Sequence, residues 1–266
     1  MALSIDERIK RSGVVEYSNW KPIVYPASIG QTSEEIGLVY SIRMSDTEIA
    51  DFIVASNTFI VPDGNAKLID GSGTCYEMSR GTLTYVPPGT YKMHFMDCDE
   101  PGVASKYFFR FFDVKWLAAK TEHPLTHFKR PHLCLFESEA IIITEGVTTQ
   151  IFPGEISFAE NFTMPGVRTT EHDIGVHEYY LFFGKGQVYI DGKIHDVDRG
   201  SFAIIPTRCK MGIINNTDQA LRMVCICTPP FELSQWAPVA GSNLRHVPEG
   251  LDIQGWWDAN KDALLA

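Results

Sequence analysis

The chain has few charged residues, a shortage of basic ones in particular, and no long hydrophobic run. Charged residues make up 21% of its 266 positions, and 33 acidic against 23 basic residues give a formal net charge of −10. This acidic excess, without any run of Lys or Arg, argues against a general attraction to nucleic acid phosphates. Its apolar stretches fall far short of the roughly 20 residues that span a bilayer. We therefore expect neither nucleic acid nor membrane as a partner.

Targeting segments and metal-type cysteine spacings are also missing. Residues 1–11 lack the apolar core of a signal peptide, which predicts a cytoplasmic protein. The six cysteines show no zinc-ribbon or thioredoxin spacing, and their only close pair is Cys225 and Cys227. On a strand these two point to the same face, and small buried thiols are common in cores. A reducing compartment then predicts free structural thiols.

Nucleotide-binding and common hydrolase motifs are absent, so no nucleotide cofactor is expected. Helical periodicity is confined to short candidates at residues 4–11 and 258–265. The chain contains instead many short runs rich in Val, Ile, Phe, Tyr and Thr, separated by Gly, Pro, Asn and Asp. This pattern predicts an all-β protein.

Two stretches of the chain resemble each other. In the first, a predicted strand ends at Gly64 and is followed by the segment from Gly81 to Pro87; in the second, the equivalents are Gly184 and the segment from Gly200 to Pro206. The three landmarks are offset by 120, 119 and 119 residues. Each copy also carries an Asp-Gly pair, which favours a type I′ hairpin turn. A duplicated β unit, and hence two small barrels, is predicted.

The second copy resembles the cupin superfamily in its two-domain, or bicupin, form. Its Gly184, the Gly200 to Pro206 segment and the following Asn215 match the spacing of the two cupin motifs, while Arg208 stands where an inner Gly is expected. The resemblance implies two tandem cupin (jelly-roll) barrels with short terminal helices. We predict an N-terminal arm (1–36), a degenerate barrel (37–119), a linker (120–132), a site-bearing barrel (133–235) and a C-terminal tail (236–266).

The usual cupin metal ligands, three His and one Glu, are not at their expected places: His177 replaces the Glu and Met211 the second-motif His. Bicupins of the (S)-ureidoglycine aminohydrolase type, which are manganese enzymes, also have His there, after a Glu and another His; the equivalents are Glu171 and Asp173. Alternation puts positions 171, 173 and 177 on one strand face. Such ligands suit Mn, with Fe, Ni or Zn as alternatives. A bulge would bring in His172 instead of Asp173.

Tyr179 has the same parity as His177 and is a candidate for proton transfer, together with Glu171. The alternation predicts that Tyr179 points into the barrel and that Glu178 and Tyr180 face outward.

Arg168 and Arg208 are candidates for binding a substrate carboxylate, because guanidinium pairs with carboxylate in a bidentate way; Met211 would make the mouth of the site apolar. The leading hypothesis is a bicupin metalloenzyme that acts on a small polar metabolite by hydrolytic deamination, lyase or isomerase chemistry. The alternatives are a metal-free small-ligand-binding cupin and a metal-free acid–base isomerase. Exposed sheet edges predict a homodimer or higher homo-oligomer.

Overall fold

The computed structural model describes residues 16–19, 23–24, 39–43, 49–54, 58–62, 65–79, 82–95, 108–113, 126–129, 132–136, 139–146, 156–198 and 201–265. The chain divides into two compact units. The first contains residues 1–19, 33–129 and 263–266, and the second contains residues 20–32 and 130–262. The second unit is called the C-terminal barrel below.

The first unit contains two antiparallel sheets. One has six strands, in the order β1 (Glu16–Asn19), β3 (Val39–Arg43), β10 (Phe108–Asp113), β5 (Thr58–Pro62), β8 (Thr82–Val86) and β11 (Thr126–Lys129). The other has four, in the order β4 (Ile49–Val54), β9 (Gly89–Phe95), β6 (Ala66–Ile69) and β7 (Cys75–Met78). In β6 buried and half-buried residues alternate, as expected for a strand with one face on the core.

The C-terminal barrel contains a seven-stranded and a five-stranded sheet. The larger has the order β12 (His132–Phe136), β13 (Ile141–Gly146), β14 (Ser157–Thr163), β21 (Leu221–Thr228), β16 (His177–Phe182), β19 (Phe202–Ile205) and β2 (Ile23–Val24). The smaller has the order β18 (Lys193–Val197), β17 (Gly186–Ile190), β20 (Lys210–Ile214), β15 (His172–Ile174) and β22 (Trp236–Pro238). All their pairings are antiparallel except that of β2 with β19. The all-β prediction is confirmed.

The two predicted hairpins differ. Asp191 and Gly192 have φ angles of 42° and 86°, as a two-residue type I′ turn requires. In the first unit the turn is longer, because the Asp70 carboxylate accepts hydrogen bonds from the backbone N–H groups of Ser72 and Thr74, and the positive φ falls at Gly73. The type I′ prediction for Asp70 and the next residue is therefore wrong.

Several segments lie outside the units predicted for them. Strand β2 belongs to the predicted N-terminal arm, yet it pairs with β19 of the C-terminal barrel. Strand β22 lies in the predicted tail and pairs with β15 of that barrel. Strand β11 falls in the predicted linker and pairs with β8 of the first unit.

The chain ends in helix α1 (Ile253–Leu265), which begins five residues earlier than predicted. Asp252 accepts a hydrogen bond from the backbone N–H of Gly255 at 2.8 Å, in the manner of an N-terminal cap. The predicted helix at residues 4–11 lies outside the described residues. In the described part of the chain no helix has the length and hydropathy needed to span a membrane.

The motif residue Asn215 forms hydrogen bonds with two segments of the C-terminal barrel, one at the end of β14 and one just before β21. It is fully buried, and its side-chain amide donates to the carbonyl oxygens of Thr163, Met164 and Gln219 at 2.9, 3.1 and 2.8 Å. A buried amide with this many partners fixes the backbone around it.

Candidate active site

The C-terminal barrel encloses a cavity of about 450 Å³. Its walls are mainly apolar, formed by residues such as Ile141, Ile143, Ile174, Ile213, Met223 and Trp236. Phe231 and Leu233 also line it although they are 38% and 63% exposed, so they mark an apolar opening to solvent. A concave, mainly apolar space with a few polar groups is typical of a small-molecule site.

The polar centre of the cavity is the carboxyl group of Glu178. Across the β16–β21 pair, Glu178 lies opposite Cys227 and Tyr180 opposite Cys225, so all four side chains share one face. The Sγ atoms of Cys225 and Cys227 lie 3.3 and 3.7 Å from Glu178 Oε1. The Tyr180 hydroxyl lies 3.2 Å from both carboxyl oxygens.

Burial governs the protonation of this centre. It raises the pKa of Glu178 to about 7, although hydrogen bonds from Cys225 and Tyr180 oppose the shift. Burial also raises the pKa of the Cys225 thiol and of the Tyr180 phenol well above their ordinary values. In the metal-free barrel the thiols are therefore protonated, and the carboxyl exchanges its proton near neutral pH.

The same centre has the chemistry of a metal site. The ligand atoms of Glu178, Cys225 and Cys227 all lie within 4.8 Å of one another, and the three residues are buried. The predicted ligands Glu171, His172, Asp173 and His177 are not brought together in this way among the described residues.

The imidazole ring of His172 forms part of the cavity wall. Its Nδ1 lies 2.7 Å from the carbonyl oxygen of Thr170, which only accepts hydrogen bonds, so Nδ1 carries the hydrogen and Nε2 is the basic nitrogen. Burial lowers the pKa of His172, although the Thr170 hydrogen bond opposes this. The ring, whose centroid is 5.7 Å from that of Trp236, is therefore a neutral imidazole at neutral pH.

A second polar group lies on the part of the wall formed by β14 and the residues before β13. Glu139 accepts hydrogen bonds from the N–H and hydroxyl of Thr170 at 2.6 and 2.7 Å, and its carboxyl lies 4.0 Å from Arg245 Nε. Asn161 Oδ1 and Thr163 Oγ1 are buried and have no hydrogen-bond partner in the described part of the chain.

The inward-facing residues of β15 and β16 have the opposite parity to the one predicted. His172, Glu178 and Tyr180 line the cavity, whereas the predicted inward positions Glu171, Asp173, His177 and Tyr179 do not. The prediction that Glu178 and Tyr180 face outward is wrong. The chain bends at residues 175–176 between β15 and β16, and the even positions stay inward on both sides because apolar Ile174 and Val176 join Tyr180 in the core of the barrel.

The residues turned away from the cavity have other surroundings. Tyr179 is completely buried, and Glu171 lies beside Tyr189, whose pKa is raised by burial and then by this carboxylate. Asp173 Oδ1 and His177 Nδ1 are buried without a hydrogen-bond partner in the described ranges.

The predicted substrate-binding residues do not line the cavity either. Arg168 and Arg208 are exposed. Arg168 pairs through its backbone with His246, and Arg208 has a φ angle of 65° in a turn. Met211 is buried in the barrel core, as an apolar residue of β20 should be.

No protein family and no curated protein matches the chain. Solved structures do match, among them an oxalate decarboxylase variant from Bacillus subtilis, at 15% identity and a TM-score of 0.58 over 87% of this chain and 78% of that one. A Lactobacillus farciminis oxalate decarboxylase in complex with formate matches at 14% identity and a TM-score of 0.56, over 78% and 80%. The chain has the bicupin fold.

Another similar structure comes from work on the Mn(II) centres of Bacillus subtilis oxalate decarboxylase. It is 16% identical, with a TM-score of 0.55 over 88% of this chain and 79% of that one. At identities this low, the structural similarity establishes the fold alone. The ureidoglycine aminohydrolase-like subtype stays a prediction.

Proposed function

We propose that this bicupin is a metal-assisted enzyme that transforms a small molecule inside its C-terminal barrel, by lyase or hydrolase chemistry. The observation that carries the proposal is the buried carboxyl of Glu178, held beside two thiols in a cavity of about 450 Å³. Buried ionisable groups with strongly shifted pKa values concentrate at functional sites. The similarity to oxalate decarboxylases, described with Mn(II) centres, supports a divalent ion in the same fold.

The residues present fit a divalent ion. Glu178, Cys225 and Cys227 would hold it, with ligand atoms within 4.8 Å of one another. Manganese is the metal described in the similar Bacillus subtilis oxalate decarboxylase and accepts carboxylates, while paired thiolates are also well suited to zinc. Such an ion would supply Lewis-acid polarisation of a substrate carbonyl or amine.

The chain's own residues would bind the substrate and move its protons. The apolar walls exclude water from most of the substrate surface. His172 is the candidate general base, because its Nδ1 is engaged with Thr170 and its Nε2 is left as the basic nitrogen. This assigns to His172 the proton-transfer role that the sequence pattern gave to Tyr179 and Glu171.

The test is the metal content of the purified full-length protein by elemental mass spectrometry, before and after incubation with Mn or Zn. We expect close to one ion per chain, lost in Glu178→Ala and in Cys225→Ser. His177→Ala is the matched control, because this predicted ligand does not line the cavity, and it should keep the ion. Circular dichroism confirms that each variant is folded. A metal-free wild type, or metal lost only in His177→Ala, contradicts the proposal.

A metal-free small-ligand-binding cupin is the second candidate. It is supported by the hydrogen bonds to Glu178 from Tyr180 and Cys225, which satisfy the carboxyl without an ion. A wild type that binds ligands in the cavity with no metal would favour this function.

A further inference from the structure

The charges on the cavity wall are of one sign. Two of the lining residues are Glu139 and Glu178, and none of the described lining residues is Lys or Arg. Glu139 is already compensated, by two hydrogen bonds from Thr170 and by Arg245 at 4.0 Å. The uncompensated carboxyl is therefore that of Glu178.

The groups that hydrogen-bond to Glu178 are all neutral. They are the hydroxyl of Tyr180 and the thiols of Cys225 and Cys227. A ligand carboxylate placed in this cavity would lose its hydration and find no cation among the described lining residues, which is unfavourable. A divalent ion held by three anionic ligands does not reverse the sign of the local charge.

A second polar part of the wall, on the same sheet as Glu178, contains hydrogen-bond acceptors that no donor of the described residues reaches. Asn161 and Thr163 both line the cavity from alternate positions of β14, and their side-chain oxygens are buried without a partner among the described residues. A buried acceptor left unpaired costs free energy because its hydration is lost without compensation. A ligand that donates a hydrogen bond to these oxygens would recover that free energy.

The opening and the remaining walls of the cavity favour a ligand with an apolar body. Phe231 and Leu233 are exposed at the opening, where a polar surface would otherwise be expected. Ile143, Ile174 and Ile213 continue this apolar surface inward.

We infer that the ligand of this cavity is a small molecule with an apolar body and a hydrogen-bond-donating group that carries no negative charge, such as an alcohol, an amide or an amine. The inference rests on the proposed function of the cavity and specifies its substrate class. The inferred ligand therefore differs from small carboxylates such as the formate in the similar Lactobacillus farciminis structure.

The test uses four probes of one size: benzyl alcohol, benzylamine, toluene and benzoate. Their binding to the purified full-length protein is measured by calorimetry, with the change in tryptophan fluorescence as a second signal because Trp236, one of the five Trp residues, lines the cavity. We expect benzyl alcohol and benzylamine to bind at least about 10-fold more tightly than benzoate, and about 10-fold more tightly than toluene.

Asn161→Leu keeps the branched shape of the side chain, with a larger volume, and removes its oxygen. It should abolish the preference for benzyl alcohol over toluene without weakening toluene binding. Asn216→Leu is the matched control, since Asn216 is exposed and does not line this cavity, and it should leave the preference unchanged. Circular dichroism establishes that both variants fold.

Benzoate binding as tight as that of benzyl alcohol overturns the inference, and so does a failure of both the alcohol and the amine to bind at their solubility limits. The two proposals fail separately. If the protein holds a metal but prefers benzoate, only the inference about the ligand is wrong. If the protein holds no metal but prefers benzyl alcohol, the inference stands and the proposed metalloenzyme function is wrong.

Discussion

Two buried carboxyl groups lie on opposite faces of the same sheet in the C-terminal barrel. On the face turned away from the cavity, Glu160 of β14 pairs with Arg222 of β21, with 2.6 Å between Oε1 and Nε. The Arg222 guanidinium also lies 4.5 Å above the ring of Phe183. On the cavity face, Glu178 of β16 is equally buried but has neutral partners.

The difference separates a structural carboxylate from a candidate functional one. A charge-assisted hydrogen bond from Arg222 compensates the Glu160 carboxylate inside the protein. Glu178 has no cation beside it among the described residues, so burial raises its pKa to about 7. A carboxyl that costs stability when ionised, and that lines a cavity, is a marker of function rather than of packing.

Breaking the structural pair should have the largest effect. Arg222→Met leaves the Glu160 carboxylate buried without its cation, so we expect the free energy of unfolding to fall by about 3–5 kcal/mol. Urea denaturation followed by circular dichroism measures this. The double variant Glu160→Leu with Arg222→Met is the control and should recover much of the loss, because no unpaired charge remains. A loss below about 1 kcal/mol in the single variant would mean that the pair is not structural.

The carboxyl of Glu178 should make the free energy of unfolding depend on pH. The pKa of Glu178 is about 7 in the folded chain against an ordinary 4.5, so the folded state holds the proton more tightly. The stability this provides is fully present below pH 4.5 and is lost as pH rises to 7, about 3 kcal/mol in all. In the metal-free protein, wild type should therefore lose stability relative to Glu178→Gln across this window. Urea denaturation from pH 4.5 to 8 tests it; parallel profiles for the two proteins would refute the shifted pKa.

A smaller effect is expected from one neutral hydrogen bond to the same carboxyl. Tyr180→Phe removes the donor at 3.2 Å, which favours the ionised form of Glu178. The pKa of Glu178 should rise further, and the free energy of unfolding at pH 8 should fall by about 1 kcal/mol. Tyr189→Phe, beside Glu171 outside the cavity, is the control. The interpretation fails if both variants leave the pH profile of the wild type unchanged.

The fold could be predicted from the sequence because its signals are local and repeated. The Asp191 and Gly192 turn determines the backbone conformation where it stands, and Asn215 accepts a hydrogen bond from the nearby backbone N–H of Thr217. Sequence-distant pairings were missed. Neither β2 nor β22 carries a signal that shows its partner, because both are short strands that pair with strands far away in the chain.

The candidate site was only partly predictable. The sequence pattern places the candidate ligands and the proton-transfer residue between Glu171 and Tyr179, and His172, the alternative ligand of that stretch, does line the cavity. The choice of face was wrong because polar residues occupy both parities, and the deciding signal was the apolar pair Ile174 and Val176. Counting apolar rather than polar positions would have found the inward face.

What the sequence by itself determined is the all-β class, the duplicated unit and the fact that Cys225 and Cys227 share a strand face, since alternation and turn chemistry are local properties of the chain. Only the tertiary structure decided that these thiols meet Glu178. That contact depends on the register between β16 and β21, which places Glu178 opposite Cys227. Register is set by burying one whole face of each strand, and shifting one of the two strands by one residue would turn its side chains, either Glu178 or the two thiols, away from the cavity.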